Sequence, residues 1–251
     1  MSKAPTREAT LPPHPTLCAY YPEASAKRGF VRDIFDTTAA DYDHVERMLA
    51  LGSGSWYRRR VLKQARLSLG MSVLDVAMGT GLVARAAAQI VGDPKLVLGV
   101  DPSIGMLTEA TKNSPIRAVM GLGEQLPIRS DHFDFLSMGY ALRHLSDLQC
   151  AFREFFRVLK PGGTVCLLEI TRPKRGMKLL RWYMKRVIPR LTRHTARSAR
   201  TSLLWEYYWD TIERCVAPEA VMQALQDAGF IDVKRTVELG IFSDYIGRKP
   251  G

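Results

Sequence analysis

Residues 73–81 read VLDVAMGTG, a short apolar strand pattern that passes through a glycine-rich turn into a helical pattern. Glycine at positions 79 and 81 lets the backbone turn sharply and approach a ligand closely, and the following helix offers its N-terminus. Asp101 ends the next predicted strand 20 residues after Gly81, the separation at which an acidic residue accepts hydrogen bonds from a ribose. Together these features predict a nucleotide-like cofactor bound at the end of a strand.

Outward from this loop, short apolar runs alternate with stretches of helical period. Strands that alternate with helices predict a parallel sheet covered on both faces, so the expected fold class is a doubly wound, Rossmann-like α/β domain. The predicted strands are 72–77, 96–101, 116–120, 133–138 and 164–170, and the predicted helices between them are 82–91, 103–113 and 147–159. Helices at 203–214 and 218–228 then precede two strands, 232–239 and 241–248, which Gly240 joins as an antiparallel hairpin.

The N-terminal part of the chain differs from this core. Residues 1–22 contain five prolines and no helical or strand period, so residues 1–29 are expected to be an extended or disordered arm outside any core. Helical spacing over 30–69, interrupted at 51–54, predicts two or three added helices. Residues 30–251 are then expected to form a single domain, because one hydrophobic core can serve a chain of about this length.

Composition excludes several classes of protein. Hydrophobic residues make up 46% of the chain and charged residues 24%, which is typical of globular proteins. No run of 18 apolar residues is present, and the first residues lack the apolar stretch of a signal peptide. Four cysteines without Cys-x-x-Cys spacing indicate a reducing compartment, and the scattered histidines give no metal site. These features predict a cytoplasmic protein.

The net charge of +11 comes from one segment. Residues 172–200 hold 11 Lys or Arg and no acidic residue, which leaves 25 basic and 25 acidic groups elsewhere. Apolar spacing over 177–191 predicts a basic amphipathic helix, kinked near Pro189, within a helical cap at 172–215. Contact of 174–200 with the inner face of an anionic membrane, a lid over an anionic substrate, and a solvated face all remain open.

The identity of the cofactor rests on Asp75. Residues 79–84, GTGLVA, also satisfy the Gly-x-Gly-x-x-Ala fingerprint of dinucleotide-binding proteins. However, a carboxylate four residues before the glycines repels a pyrophosphate and attracts the methionine ammonium of S-adenosylmethionine. The sequence therefore favours S-adenosylmethionine, with S-adenosylhomocysteine as its product. The alternative is that Asp75 merely caps the turn by accepting hydrogen bonds from nearby amides.

Several further stretches combine with this loop into a recognisable series. They are FDxxAxxYD at 35–43, LDVAxGTG at 74–81, EQLP at 124–127 followed by FD at 133–134, LR at 142–143, and RVLKPGG at 157–163. In order and spacing the chain resembles class I S-adenosylmethionine-dependent methyltransferases of the ubiquinone/menaquinone-biosynthesis C-methyltransferase family over residues 35–230. The resemblance implies methyl transfer to a small lipophilic acceptor, most plausibly C-methylation of a quinol, phenol or prenylated ring.

The candidate site residues fall into two groups. The cofactor candidates are Asp75, Ala77, Gly79, Gly81, Asp101, Pro102, Met106, Gly123 and Glu124. The resemblance implies that Tyr42 and Arg143 face the acceptor. Because a phenol must be deprotonated or polarised before its ring attacks the methyl group, Tyr140 and His144 are further catalytic candidates. His144 fits equally well as a helix cap, and Tyr140 as an ordinary core residue.

Four positions depart from the family pattern. Met78 stands where the family usually has glycine, Leu82 where it has aspartate, Leu122 where it has Asp or Asn, and His144 where it has asparagine. These departures keep open a natural-product O-, N- or isoprenoid C-methyltransferase. Outside enzymes, the alternative is an S-adenosylmethionine- or nucleic-acid-binding protein without turnover. Nucleic acid is disfavoured because the residues after the fourth strand lack the motif of base N-methyltransferases, and a homodimer remains open.

Overall fold

The computed structural model describes residues 10–49, 54–112, 114–172 and 200–251, together with residues 182 and 186. Within these ranges the strands are β1 (Val73–Val76), β2 (Val97–Asp101), β3 (Arg117–Met120), β4 (Phe133–Gly139), β5 (Leu159–Ile170), β6 (Ile231–Glu238) and β7 (Phe242–Arg248). The helices are α1 (Lys27–Leu49), α2 (Gly54–Gln64), α3 (Leu82–Val91), α4 (Ile104–Lys112), α5 (Leu148–Val158), α6 (Thr201–Arg214) and α7 (Pro218–Asp227).

The seven strands form a single sheet in the order β3-β2-β1-β4-β5-β7-β6. Strands β1 to β5 are parallel, and β7 runs antiparallel to both of its neighbours. The strand order reverses between β1 and β4, and open α/β sheets bind ligands at the carboxyl ends of the strands beside such a point. The predicted α/β fold class and the β6–β7 hairpin are confirmed.

Both faces of the sheet are buried, because successive strand residues point to opposite sides. Val73 belongs to an apolar cluster that includes Val61 of α2 and Ala84 of α3. Its neighbour Leu74 belongs to a second cluster with Phe152 of α5 and members of α7. This double burial explains why the parallel strands read as continuous apolar runs.

Strand β5 begins earlier than the sequence predicts. Leu159 already pairs with Phe133, and a register shift separates that pair from the pairing of Phe135 with Thr164. Residues 160–163, KPGG, precede the predicted strand 164–170 and form a turn, in which Gly162 has a φ of +79°. The turn is therefore an irregularity inside the strand rather than its boundary.

The described part of the expected arm, residues 10–29, packs on the domain. Leu17 and Tyr21 are buried against Val31 and Tyr207, a residue of α6. The Leu11 amide also donates to Asp147 Oδ1 at 3.1 Å. The expectation of an arm outside the core is therefore wrong for these residues, because prolines prevent regular secondary structure without preventing the burial of apolar side chains.

Most of the basic segment lies outside the described residues, including the predicted amphipathic helix at 177–191 and nearly all of the contact surface at 174–200. The described end of the predicted cap is helix α6. Its apolar and aromatic side chains, among them Leu204, Trp205 and Trp209, are buried against the domain. Among the described helices, none combines the length and apolar character needed to cross a membrane.

Candidate active site

A cavity of about 670 Å³ opens where β1, β2 and β4 end. Its volume lies in the range typical of small-molecule sites. One half of its wall comes from the loops that follow the strands, within residues 75–83 and 101–106. The other half comes mainly from residues of α1, α2 and α6, about half of them aromatic, together with Tyr140, His144 and Phe242. We call these the cofactor half and the acceptor half of the cavity.

The cofactor half is centred on the glycine-rich turn after β1. Ala77, Gly79 and Gly81 all have positive φ values, of 53°, 55° and 86°. A Cβ added at Gly79 would meet no atom within 4 Å, so this part of the backbone borders open space. Ala77 and Gly79 line the cavity, whereas Gly81 begins α3 and shapes the turn from behind. The backbone at Gly79 is therefore open to close approach by a ligand, as the sequence predicts.

Asp75 presents an unpartnered carboxylate oxygen to the cavity. Its Oδ1 accepts a hydrogen bond from Ser137 Oγ at 2.6 Å, while the buried Oδ2 has no hydrogen-bond partner among the described residues. The nearby Ala84 amide favours the charged form but forms no hydrogen bond to Oδ2. Burial raises the pKa of Asp75 to about 7. A buried, unsatisfied carboxylate fits a cationic ligand group such as the ammonium of S-adenosylmethionine and opposes a pyrophosphate.

Asp101 stands beside Asp75 at the end of β2. Its two oxygens accept hydrogen bonds at 2.8 Å from the amides of Gly79 and Ser103. Burial raises the pKa of Asp101 to about 6. A carboxylate oxygen has more than one lone pair, so each can still accept a ribose hydroxyl. Pro102 and Met106, also predicted as cofactor residues, line the same half.

Helix α1 ties the two cofactor loops together through a pair of aspartates seven residues apart. Asp36 Oδ1 accepts hydrogen bonds from Ser103 Oγ at 2.6 Å and from the Gly105 amide at 2.9 Å. Asp43 accepts a hydrogen bond from Thr80 Oγ1 and pairs with Arg85 at 3.2 Å. The motif at 35–43 was the only sign of these contacts in the sequence, and its spacing does not reveal that the two aspartates hold the cofactor loops.

The acceptor half is an aromatic chamber. The ring of Tyr42 stacks on Trp205 with centroids 6.2 Å apart and planes 22° apart, and the ring centroid of Phe35 lies 6.2 Å from that of Tyr42. Other aromatic wall residues are Trp56, Tyr57, Tyr140, Tyr208, Trp209 and Phe242. Burial raises the pKa of Tyr42 well above its usual value, so its hydroxyl stays protonated and can act as a donor. Sequence reasoning missed the wall residues of α6, although the run LLWEYYWD at 203–210 marked them.

Tyr140 and His144 also line the acceptor half. Tyr140 has a φ of +61°, and its amide donates to the Leu168 carbonyl at 2.7 Å. Burial raises the pKa of its phenol. His144 Nε2 is buried without a hydrogen-bond partner among the described residues, and burial together with Arg143 lowers the pKa of the ring well below its usual value. His144 is therefore neutral and a weak base, and the helix cap of α5 is Asp147 instead.

Arg143 lies behind the acceptor wall rather than in it. The side chain is fully buried, and its Nε donates to Glu169 Oε1 at 3.0 Å. Its Nη1 donates to Thr211 Oγ1 at 2.7 Å, and its guanidinium lies 4.2 Å from the ring centroid of Tyr208. The expectation that Arg143 faces the acceptor therefore does not match its position. A guanidinium this deeply buried needs a counter-ion, and Glu169 provides it.

Gly123 and Glu124 do not line the cavity. A Cβ added at Gly123 would lie 2.9 Å from Leu145, so this glycine permits close packing of the loop. Glu124 Oε1 accepts a hydrogen bond from the Ser146 amide, and this contact anchors the loop beside α5. Neither residue, although predicted to contact the cofactor, is part of the cavity wall: the backbone of Gly123 packs against Leu145, and the Glu124 side chain is bound to the Ser146 amide.

Met78, a departure from the family pattern, has a structural partner in β2. Its side chain is buried and occupies the space over Gly99, where an added Cβ would lie 1.8 Å from the methionine sulfur. The larger residue at position 78 is thus accommodated by the absence of a side chain at position 99. Met78 also lines the cavity, so its packing and the cavity wall depend on each other.

The described residues hold no cluster of three or more His, Cys, Asp or Glu side chains that could bind a metal ion. All four cysteines are free thiols. Cys166 is buried in β5, and Cys150 and Cys215 are partly buried. The groups that line the cavity include carboxylates, aromatic rings, backbone groups and guanidinium groups.

Comparisons with known proteins agree with this geometry. The family model described as the ubiE/COQ5 methyltransferase family matches residues 23–249. A demethylmenaquinone methyltransferase of Chlorobaculum tepidum is 34% identical over 210 residues, covering 81% of this chain and 85% of the relative. The ubiquinone/menaquinone biosynthesis C-methyltransferase UbiE of Shewanella frigidimarina is 30% identical over 223 residues, covering 85% and 88%.

Solved structures support the fold. An S-adenosylmethionine-dependent methyltransferase of Thermotoga maritima superposes with a TM-score of 0.62 at 20% identity, covering 87% of this chain and 99% of that one. Phosphoethanolamine N-methyltransferase 2 of Haemonchus contortus, in complex with S-adenosyl-L-methionine, gives a TM-score of 0.57 at 16% identity, covering 78% and 52%. At these identities the likeness concerns the class I methyltransferase fold alone.

Proposed function

Because the chain belongs to the ubiE/COQ5 methyltransferase family, we propose that it methylates a ring carbon of a quinol-type acceptor that carries a lipophilic side chain. It is an S-adenosylmethionine-dependent methyltransferase, and the proposal concerns the acceptor and the atom that is methylated. The relatives are named for demethylmenaquinone and for ubiquinone and menaquinone biosynthesis. A flat, electron-rich ring is the acceptor class that these names and the aromatic chamber have in common.

One observation carries the proposal: the aromatic acceptor half is continuous with the half that presents Asp75. Aromatic rings bind another ring through offset and edge-on contacts as well as through buried apolar area. Trp205 and Tyr42 offer such contacts to a planar acceptor at a site that also borders the donor-binding loops.

The residues of the chain bind and orient the two substrates. When bound, S-adenosylmethionine supplies an electrophilic methyl carbon, so positioning accounts for much of the catalysis. Asp75 Oδ2 would hold the ammonium group and Asp101 the ribose hydroxyls, while the bare backbone at Gly79 permits close approach. Tyr42, Trp205 and the rest of the chamber would hold the acceptor ring and exclude water.

The mouth of the cavity suits a lipophilic side chain that extends outward. Trp56 is 56% exposed and Leu239 is 88% exposed, and both line the cavity. The guanidinium of Arg60 lies 5.3 Å from the Trp56 ring centroid. Exposed aromatic residues beside basic ones are typical of surfaces at a membrane interface. These residues support peripheral contact at the inner face of a membrane, to which residues 174–200 would contribute their basic side chains.

The test of the proposed function is product analysis with the purified protein. We expect a C-methylated product from a short-chain prenylated naphthoquinol and S-adenosylmethionine, identified by mass spectrometry and by the loss of a ring proton in NMR. An O-methylated quinol, or an unmethylated quinol beside an O- or N-methylated competing acceptor in the same assay, would contradict the proposal and favour the natural-product alternative. Asp75→Asn is the negative control, and light scattering of the same sample determines whether the protein is a monomer or a homodimer.

A further inference from the structure

A buried cation stands in the acceptor half of the cavity. Arg58, on α2, is only 3% exposed and lines the chamber. Its Nη2 donates a hydrogen bond to Glu46 Oε1 on α1, and Glu46 lines the same chamber. The Arg58 Nε is buried and has no hydrogen-bond partner among the described residues. A charged donor left unsatisfied in a ligand cavity points to a ligand atom that accepts its hydrogen bond.

Other groups of the chamber are poorly suited to ionising an acceptor. Arg143 is fully engaged behind the wall with Glu169 and Thr211. Burial raises the pKa of Tyr42, so its phenolate form is scarce, and burial makes His144 a weak base. Arg60 pairs with Glu238 at 3.1 Å near the mouth and is 44% exposed. Arg58 and Glu46 combine a cation and a carboxylate inside the chamber.

The charge of Arg58 acts on groups in both halves of the cavity. Its positive charge acts on Tyr42 and Tyr140 in the acceptor half, and also on Asp75 in the cofactor half. In each case the charge favours the anionic form of the neighbour. A hydroxyl of an acceptor held between these residues would experience the same field. Arg58 thus stands near the boundary between the two halves, where an acceptor ring must lie to meet the methyl donor.

We propose that Arg58 and Glu46 together ionise the acceptor hydroxyl: Arg58 Nε binds the oxygen and Glu46 takes its proton. The O–H bond breaks, its electron pair stays on the oxygen, and a new O–H bond forms on the Glu46 carboxylate. The ring carbon would then bond to the methyl carbon as the S–CH3 bond of S-adenosylmethionine breaks, its electron pair going to sulfur to give S-adenosylhomocysteine. The proton of that ring carbon leaves to water, and Glu46 returns its proton to the acceptor oxygen. The cycle ends with the original charges on Arg58 and Glu46.

The pair suits a cavity of low dielectric because the transfer moves a negative charge without creating a new one. Glu46 loses its charge as the acceptor oxygen gains one, so Arg58 is next to an anion throughout. Removal of one partner from a buried ion pair is costly because it leaves an uncompensated charge. Replacement of the carboxylate by a phenolate avoids that cost. This inference rests on the proposed function, since it requires an acceptor with an ionisable hydroxyl on its ring.

The first experiment measures the ionisation of a bound phenol without any turnover. 1-Naphthol is titrated by its absorbance in the presence of excess protein saturated with S-adenosylhomocysteine. We expect the pKa of bound naphthol to lie about one to three pH units below that of free naphthol, as is typical beside an opposite charge. Arg58→Met should remove this effect, whereas Glu46→Gln should enlarge it, because Arg58 then lacks its internal counter-ion.

Arg59→Met is the matched control, since it removes one charge from the neighbouring position of the same helix. Arg59 is exposed, donates to Gln89 at 2.9 Å and does not line the cavity. It should leave the pKa of bound naphthol unchanged. An unshifted naphthol pKa in the wild type, or equal values in the wild type and Arg58→Met, would overturn the inference. Failure of the wild type to bind naphthol would overturn it as well.

The second experiment separates chemistry from structure by steady-state kinetics. With a quinol acceptor, Glu46→Gln should lower kcat by about 10²- to 10⁴-fold at neutral pH, with a deficit that shrinks as the pH rises and solvent ionises the acceptor. The Kd for S-adenosylmethionine should remain close to the wild-type value. The double variant Arg58→Met with Glu46→Met removes the pair without leaving a buried charge, so it should fold yet lose kcat. Wild-type kcat in that double variant would show that the pair is structural.

The two experiments distinguish failure of this inference from failure of the proposed function. A wild type that methylates no quinol but lowers the pKa of bound naphthol through Arg58 would contradict the proposed function alone. Quinol C-methylation that persists in Arg58→Met, with an unchanged pKa of bound naphthol, would contradict the inference alone.

Discussion

The two halves of the cavity are built in opposite ways. The cofactor half uses consecutive backbone groups of one turn and two carboxylates at the ends of adjacent strands. The acceptor half combines side chains of the consecutive helices α1 and α2 with those of α6, which lies far along the sequence. The hydrogen bond from Thr201 of α6 to Asp41 of α1 spans 160 residues. A site made by one local turn can be recognised from residue spacing, whereas a site made by distant helices depends on how those helices pack.

The two halves also differ in whether their buried charged side chains form ion pairs. In the cofactor half, Asp75 keeps one oxygen without a partner among the described residues. In and behind the acceptor half, the buried guanidiniums of Arg58 and Arg143 are paired with Glu46 and Glu169. A carboxylate oxygen without a partner is available to a cationic ligand group. A guanidinium that is paired with a carboxylate stabilises the packing of the cavity wall. Substitution of Asp75 should therefore affect ligand binding, and substitution of Arg143 or Glu169 should affect stability. The Arg58–Glu46 pair combines both properties, because it is an ion pair that keeps Arg58 Nε without a partner among the described residues.

The largest effect is expected from Arg143→Met, which leaves the buried Glu169 carboxylate without its cation. We expect the free energy of unfolding to fall by about 3–5 kcal/mol, the usual consequence of breaking a buried ion pair. Urea denaturation followed by circular dichroism measures this change. Arg143→Met combined with Glu169→Leu should recover most of the loss. A stable single variant with a collapsed kcat would instead put Arg143 in the chemistry, as the family resemblance implied.

The next effect is expected from Asp75→Asn in the cofactor half. The substitution keeps the shape of the side chain and removes the charge that would bind the ammonium group. A charge-assisted hydrogen bond contributes about 1.5–3 kcal/mol, so the Kd for S-adenosylmethionine should rise by about 10- to 150-fold. Isothermal titration calorimetry measures it. Asp134→Asn, at the opposite end of β4, is the matched control and should leave the Kd within about twofold of wild type, within the usual range for a distant site.

The sequence made the cofactor half largely predictable. The spacing of the strand, the turn at 73–81 and Asp101 is local, and Asp75, Ala77, Gly79, Asp101, Pro102 and Met106 all line the cavity. Gly123 and Glu124 were also predicted as cofactor residues but do not line the cavity. The hydrogen bond from the Ser146 amide to Glu124, which anchors their loop beside α5, cannot be deduced from spacing. In the acceptor half, the family resemblance implied that Arg143 faces the acceptor, whereas in the structure Arg143 lies behind the cavity wall. Its partner Glu169 lies 26 residues further along the chain, on a different strand.

A smaller and graded effect is expected from pH. Burial holds the pKa of unliganded Asp75 at about 7, above its usual value, so this group favours the unliganded fold at low pH and destabilises it as the pH rises through 7. Cofactor binding has the opposite sign because the ammonium requires the carboxylate. Affinity for S-adenosylmethionine should fall by up to about tenfold per pH unit below pH 7. Calorimetry between pH 6 and 8 tests this, and Asp75→Asn should remove most of the dependence.

The smallest effect is expected where the two halves meet. Thr80→Val removes the hydroxyl that donates to Asp43 and so loosens the connection between the glycine turn and α1. A single buried hydrogen bond contributes about 0.5–1.5 kcal/mol, and the free energy of unfolding should fall by that amount. Urea denaturation measures the change. Thr108→Val is the control, since its exposed hydroxyl bonds only within α4, and it should leave stability nearly unchanged.

The packing of residues 10–29 has a consequence for the order of events during synthesis. Leu11 is bound by Asp147, and the hydroxyl of Tyr20 donates to Asp210 at 2.8 Å, a residue made 190 positions later. Residues 10–29 therefore leave the ribosome long before α6, the surface on which they dock, has been made. Contacts of such long sequence separation form slowly. A segment that is synthesised well before its partner thus waits for that partner and reaches its final position late in folding.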